Sequence, residues 1–102
     1  MRKYSPAPAL LRICAKDFKD PDSDLVIEKG TLVSIPVFGL HMDERYFPDP
    51  EKFDPDRFTE EQKATRPNYI YLPFGEGPRV CIGKRFVVFR LLSSFFKLQN
   101  WR

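Results

Sequence analysis

The residues with the most chemical potential lie at positions 74–83, which read Phe-Gly-Glu-Gly-Pro-Arg-Val-Cys-Ile-Gly. Glycine and proline followed by a long run without proline predict a tight loop that leads into a helix. Cys81 then lies where the loop meets the helix. A thiol at that point faces the positive end of the helix dipole and unpaired backbone N–H groups, which favour the thiolate. Cys81 is therefore a candidate metal ligand or nucleophile.

The neighbours of this cysteine predict a large, flat, apolar ligand that carries a metal and an anionic edge. Gly75 and Gly77 allow positive φ and a close approach to the main chain, and Pro78 makes the loop rigid. Arg79 offers a planar fork of donors to a carboxylate or phosphate. Gly83 is expected one turn inside the helix, where glycine costs about 1 kcal/mol relative to alanine. Such a cost is reasonable if a bulky group lies against that turn.

Other sites with similar glycines fit this segment less well. A dinucleotide-binding fingerprint would need a glycine at Val80. A phosphate-binding loop would need glycine at Pro78 and serine or threonine at Arg85. A buried structural cysteine would account for the thiol alone, but it would leave the glycines, the proline and the arginine unexplained.

The spacing Phe-Gly-x-Gly-x-Arg-x-Cys-x-Gly resembles the cysteine-ligand loop of the cytochrome P-450 haem-thiolate monooxygenases, and every position of it is matched. The resemblance implies that Cys81 is the catalytic thiolate and the axial ligand of the iron in haem b (iron protoporphyrin IX). Phe74 would shield the sulfur, Arg79 would pair with a haem propionate, and Gly83 would let the helix lie against the porphyrin. The implied haem-binding residues are Phe74, Gly75, Gly77, Arg79, Cys81, Gly83 and Arg12.

Three further arginines are similar in position to arginines of that family. Arg2 matches the arginine of a Glu-x-x-Arg pair, whose glutamate would lie two residues before Met1. Arg57, in the element Pro-Asp-Arg-Phe at 55–58, would complete this structural ion pair, although the family usually has glutamate at the second position. Arg12 would meet a haem propionate. From the residues alone, Arg57 could equally form an ordinary surface ion pair and Arg12 could face water.

The single histidine, His41, is interpreted as a structural hydrogen-bonding residue because no second ligand cluster accompanies it.

The expected fold is mainly α with small β sheets, the cytochrome P-450 fold, of which residues 1–102 form a C-terminal fragment. Residues 1–45 should contain a helix end and short strands, residues 46–73 a meander, residues 74–83 the ligand loop and residues 82–100 a long helix. The helix end is expected at Met1–Tyr4, and the strands at Leu10–Cys14, Leu25–Ile27 and Thr31–Val37. Residues 82–100 are apolar nearly all round, which predicts a helix buried in something larger than this chain provides.

Composition narrows the class of protein. With 102 residues the chain forms one domain at most. The net charge of +3 is spread along the sequence, unlike the concentrated basic face of a nucleic-acid binder. The two cysteines are far apart and no secretory signal is recognisable, so a disulfide framework is not expected. No apolar run approaches the ~20 residues of a membrane span.

The resemblance, which is greatest to insect microsomal members, implies insertion of one atom of O2 into an apolar small molecule. Electrons would come from NADPH through a reductase, and Lys84, Arg85 and Arg90 could either dock that partner or form a solvated helix face. Such proteins lie on the cytosolic side of the endoplasmic reticulum membrane, held by an N-terminal anchor that is missing from this sequence. Two alternatives stay open: a truncated product without activity, and a haem-thiolate isomerase or dehydratase. The isolated chain is expected to bind no haem, because half of the pocket would be absent.

Overall fold

The computed structural model describes residues 1–100, which form small antiparallel sheets and short helices followed by one long helix. Trp101 and Arg102, included in the predicted fragment, lie outside the described residues. The strands are β1 (Leu10–Ile13), β2 (Phe18–Lys19), β3 (Val26–Ile27) and β4 (Leu32–Ile35). The helices are α1 (Val37–Met42), α2 (Glu60–Ala64) and α3 (Lys84–Gln99), with 3₁₀ turns at Pro55–Phe58 and Gly77–Arg79.

The strands form two separate antiparallel pairs. β1 pairs with β4, with Leu10 opposite Ile35, and β2 pairs with β3. The turn between β2 and β3 is closed by a hydrogen bond of 2.9 Å from the Asp20 amide to the Leu25 carbonyl. Pro36 ends β4 because it has no N–H to donate, and α1 begins at the next residue.

Two expectations for the first half of the chain are wrong. Met1–Tyr4 is not helical, because the side chain of Arg2 reaches into the core and four residues gain too few hydrogen bonds to nucleate a helix. The pair β2–β3 was not fully anticipated, since Phe18–Lys19 is a two-residue strand that exists only through its partner.

The proline-rich meander is built from capped turns. The carboxylate of Asp54 accepts a hydrogen bond of 3.1 Å from the Asp56 amide and caps the first 3₁₀ turn. Thr59 then caps α2 through the Gln62 amide at 3.4 Å. These caps pair backbone donors that would otherwise be free at the helix starts.

The core is small and partly polar. Its buried apolar residues are Val37, Phe47 and Leu72, and they surround two buried polar side chains, Arg2 and His41. The chain exposes 8835 Å² of surface, whereas a compact protein of its mass exposes about 6,000 Å². Its radius of gyration is 17.0 Å, against about 13 Å for a compact chain of 100 residues.

The long helix α3 is exposed in this chain, and its burial in a larger protein stays a prediction. No residue of α3 is buried, and its apolar side chains are more than half exposed at Phe86, Phe89, Leu91 and Phe95. Residues 84–99 contain no proline or glycine that would interrupt a helix, but the 102 residues supply too little surface to cover it.

Replacing Phe47 tests whether this small core holds the fold. The Phe47→Ala change should lower the free energy of unfolding by about 3–5 kcal/mol, because a buried ring leaves a cavity. Phe53 is the matched control: its side chain is 86% exposed, so Phe53→Ala should change stability by no more than about 0.5 kcal/mol. Urea unfolding followed by circular dichroism measures both, and equal losses would contradict the assigned core.

Candidate functional site

The segment from Phe74 to Gly83 is a closed loop. Gly75 has φ of 73° and Gly77 has φ of 76°, the left-handed region that residues with a Cβ rarely adopt. Gly77 begins the second 3₁₀ turn, closed by the Val80 amide on the Gly77 carbonyl at 3.0 Å. The Cys81 amide donates back across the loop to the Phe74 carbonyl at 2.8 Å. The two glycines therefore reverse the chain and bring Cys81 beside the start of the loop.

The thiol of Cys81 lies at the start of α3. A Cβ added to Gly83, the N-cap residue of α3, would be 3.8 Å from Sγ of Cys81. Cys81 is exposed and forms no disulfide. The positive end of the α3 dipole lies at this terminus.

The expectation that Gly83 lies one turn inside the helix is wrong. Gly83 precedes the helix, and its carbonyl accepts the first helical hydrogen bond from Val87 at 3.0 Å. Glycine is well tolerated at an N-cap, so the helix-interior cost assigned from the sequence does not apply.

The structure brings one of the expected arginines close to the loop. Arg12 on β1 and Gly77 line the same open cavity of about 300 Å³, together with Tyr69 and Glu76. Among residues 1–100, the Arg12 guanidinium donates only to the neighbouring Leu11 carbonyl, at 2.8 Å. Arg79 is exposed within the loop. Neither arginine forms a salt bridge within residues 1–100.

The three cations expected near this site, Lys84, Arg85 and Arg90, are all exposed on α3. The Nζ of Lys84 lies 5.9 Å from the ring centroid of Phe74, within reach of a cation–π interaction. This contact ties the first turn of α3 to the start of the loop.

Arg2 forms the polar centre of the core. Its Nη1 donates to the His41 carbonyl at 2.7 Å and its Nη2 donates to the Pro50 carbonyl. Its Cζ lies 5.1 Å from the ring centroid of Phe47. Burial lowers the pKa of Arg2, and the charge of Arg57 lowers it further. One guanidinium thus joins the N-terminal segment, α1 and the meander.

Arg57 lies in the same basic cluster and is not a surface residue. Its side chain is 11% exposed and its Nε is 3.8 Å from Oδ2 of Asp54. Its Nη2 donates to the Asp49 carbonyl at 2.9 Å. The buried Nε forms no hydrogen bond within the described chain, so this donor lacks an acceptor there.

Arg66 also belongs to this cluster, which was not predicted from the sequence. Its Cζ lies 4.8 Å from the ring centroid of Phe47 and 5.3 Å from that of Phe58. Burial and the charge of Arg57 lower the pKa of Arg66. Its Nη2 is buried without a partner among residues 1–100. Nothing in the spacing around Arg66 separates it from surface arginines, because only the fold places it between two rings.

The interpretation of His41 as a structural hydrogen-bonding residue is confirmed. Its side chain is fully buried, and its Nε2 accepts a hydrogen bond of 3.0 Å from the Leu72 amide. Its ring stacks at a tilt on Tyr71, with the centroids 5.2 Å apart. Burial lowers the pKa of His41, and the charge of Arg2 also lowers it. The imidazole is therefore neutral at pH 7.

Among residues 1–100, no group of three or more histidine, cysteine or acidic side chains is placed to hold a metal ion, so a metal here would need a ligand set of another kind. No helix within residues 1–100 has the length and apolar character needed to cross a bilayer.

Comparison with known proteins gives consistent matches along most of the chain. The family model described as Cytochrome P450 matches residues 1–91. The chain is 56% identical over 86 residues to "Cytochrome P450 6k1" of Blattella germanica, which covers 84% of this chain and 16% of the relative. It is 46% identical over 102 residues to "Cytochrome P450 9b2" of Drosophila melanogaster, covering 96% of this chain and 20% of the relative. The chain thus spans no more than a fifth of the length of these relatives.

The positive φ of Gly75 predicts that an alanine at this position strains the loop. The Gly75→Ala change should cost about 1–2 kcal/mol, because a Cβ is strained at positive φ. That cost corresponds to about a five- to thirty-fold faster exchange of the Cys81 amide with deuterium. Gly39→Ala in α1 is the control, since its backbone needs no positive φ and its added Cβ would meet Pro36 at an ordinary 3.6 Å. NMR hydrogen exchange measures both, and an unchanged Cys81 amide in Gly75→Ala would contradict the strained-loop assignment.

Proposed function

Because the chain belongs to the cytochrome P450 family, we propose that it supplies the cysteine-ligand segment of a haem-thiolate monooxygenase. The observation that supports this most directly is the position of Cys81. The residue is exposed, its thiol lies close to Gly83, the N-cap residue of α3, and it is held there by a loop closed through its own amide.

The residues around Cys81 fit a haem group. Gly75 is buried within the loop, but Gly77 is exposed and a Cβ there would meet nothing within 4 Å, which leaves its backbone accessible to a flat ligand. Val80 and Ile82 on either side of the cysteine are exposed apolar side chains, 41% and 104% exposed. Burying such side chains against a porphyrin would remove apolar surface from water. The donor set is a single soft thiolate, which suits haem iron when the porphyrin provides the other ligands.

In this proposal the chain's own residues bind and orient the cofactor. Cys81 holds the iron as a thiolate, and Arg79 and Arg12 bind the propionates. Neither arginine would have to leave an existing salt bridge within the described residues to do so. Free amides at the start of α3 stabilise the charge on the sulfur. When bound, the haem supplies O2 activation, which thiolate ligation favours.

The basic cluster of Arg2, Arg57 and Arg66 supports the structural ion pair implied by the resemblance. Buried charges are costly unless they are paired. Here the guanidinium groups of Arg2 and Arg66 lie over Phe47, and the charge of Arg57 lowers the pKa of both after burial. Two buried nitrogens, Nε of Arg57 and Nη2 of Arg66, have no acceptor in the described chain. We assign the missing acceptor to the glutamate that the resemblance implies two residues before Met1, with Arg2 and Arg57 as its partners.

The remaining assignments concern the whole protein. The substrate is an apolar small molecule, the oxidant is O2, and electrons come from NADPH through a reductase. The exposed cations Lys84, Arg85 and Arg90 give α3 a basic start that suits an acidic partner surface. The relatives from insects support a place at the endoplasmic reticulum membrane.

A chimera tests the proposed ligand. The chain replaces the aligned segment of the Blattella germanica relative, and the ferrous–CO difference spectrum is recorded. The chimera should show the Soret band of a thiolate-ligated haem, and Cys81→Ala should abolish it because the axial ligand is lost.

Cys14→Ala is the matched control in the same chimera, since Cys14 is the other free thiol and lies beside β1. This variant should keep the band. A thiolate-type band that survives Cys81→Ala, or disappears in Cys14→Ala alone, would contradict the assignment. The isolated chain should take up no haem in a parallel titration.

A further inference from the structure

We propose that His41 is a positioning residue for the cysteine loop, because its imidazole Nε2 holds the backbone amide from which that loop starts. This inference rests on the proposed haem-thiolate site. It assigns to His41 a role in the geometry of Cys81 that the loop motif does not contain.

The contact between His41 and Leu72 is unusual in its chemistry. A buried backbone N–H usually meets a carbonyl oxygen, but the Leu72 amide donates to an imidazole nitrogen at 3.0 Å, across 31 residues of sequence. Only a neutral imidazole with its proton on Nδ1 can accept at Nε2. The hydrogen bond therefore fixes one tautomer and one charge state of the ring.

Two backbone hydrogen bonds and one proline connect Leu72 to Cys81. Leu72 is buried, and its carbonyl accepts from the Gly75 amide at 3.2 Å. Pro73 has a fixed φ, so the position of Leu72 is passed on to Phe74. The Phe74 carbonyl then accepts from the Cys81 amide at 2.8 Å. A displacement of Leu72 would move the acceptor that holds Cys81.

The backbone of His41 is anchored too, whereas the buried Nδ1 of its ring forms no hydrogen bond within residues 1–100. Its carbonyl, near the C-terminus of α1, accepts the Arg2 hydrogen bond of 2.7 Å, which satisfies one of the carbonyls left free at a helix end. Its ring lies edge-on to Phe47 and stacks on Tyr71. The ring cannot shift or rotate without breaking these contacts. His41 therefore holds the start of the loop in a fixed position.

The proposal gives the site a pH dependence. Protonation turns Nε2 from an acceptor into a donor that faces the Leu72 N–H. The groups facing His41 are the guanidinium of Arg2, the chain's amino group and the phenol of Tyr71. Burial opposes a charge on the ring most strongly; the main chain of Arg2 favours that charge, and both cations oppose it more weakly, so the net effect is a lowered pKa. His41 is the only histidine in the chain, so a transition in this range can be assigned to it.

The direction in which stability changes with pH follows from the lowered pKa of His41 in the folded chain. The unfolded chain binds a proton at its ordinary pKa of about 6.5, whereas the folded chain resists it. The stabilisation that the neutral imidazole of His41 contributes to the fold is therefore complete above about pH 6.5, and it is lost as the pH falls below that value. Arg2 stays protonated and Tyr71 stays neutral throughout this window.

Two variants separate the hydrogen bond from the packing of the ring. His41→Phe keeps an aromatic ring but has no acceptor, and His41→Gln keeps an acceptor oxygen. Exchange of the Leu72 amide in the 102-residue chain should become about ten-fold faster in His41→Phe and stay within about three-fold of the original in His41→Gln. In the original chain, protection of this amide should fall below pH 6.5, and in His41→Gln it should not. Nitrogen-15 spectra at pH 7 should show the proton of His41 on Nδ1.

A haem readout tests the positioning itself. In the chimera described above, His41→Phe should lower the fraction of thiolate-type ferrous–CO spectrum, and His41→Gln should restore it. Equal spectra in the original and His41→Phe, a proton on Nε2, or a Leu72 amide unaffected by either variant would overturn the proposal. If the chimera shows no band that depends on Cys81, the proposed function fails, while the exchange and nitrogen-15 measurements still decide whether His41 holds Leu72.

Discussion

The structure depends on one buried guanidinium and the histidine it contacts. Arg2 binds the carbonyls of His41 and Pro50, and the imidazole of His41 binds the amide of Leu72. These hydrogen bonds connect segments 31 to 48 residues apart. The apolar core around them contains few fully buried side chains. Charge-assisted hydrogen bonds to main-chain carbonyls are therefore a large part of what holds the first and last parts of the chain together.

The same arrangement leaves buried donors without acceptors and apolar surface without cover among the described residues. Arg57 and Arg66 lower the pKa of Arg2 through their like charges, and buried donors on both lack acceptors among the described residues. Helix α3 displays apolar side chains on most of its surface. Buried donors without acceptors and exposed apolar area both cost free energy. Each is explained if a carboxylate covers the cluster and further protein covers α3, as expected for a segment that spans about a fifth of its relatives.

How far the sequence predicted the structure differs between local and distant features. The loop from Phe74 to Gly83 could be predicted because positive φ at two glycines and a fixed proline φ are properties of the residues themselves. The turn before β3 and the long helix were predicted for the same reason. The strand Phe18–Lys19 was not, because two residues form a strand only when a partner lies beside them. Arg66 was missed because its two aromatic partners come from different turns of the meander.

By itself the sequence determined the family, the ligand loop and the candidate thiolate, since these depend on residue types at fixed short spacings. The tertiary structure decided where those residues lie. It placed Gly83 at the N-cap of α3 beside Sγ of Cys81, and it joined His41 to the start of the loop. It also showed that α3 is uncovered in this chain. Such facts depend on contacts between residues far apart in sequence, and burial and hydrogen bonding across those distances are set by the packing of the whole chain.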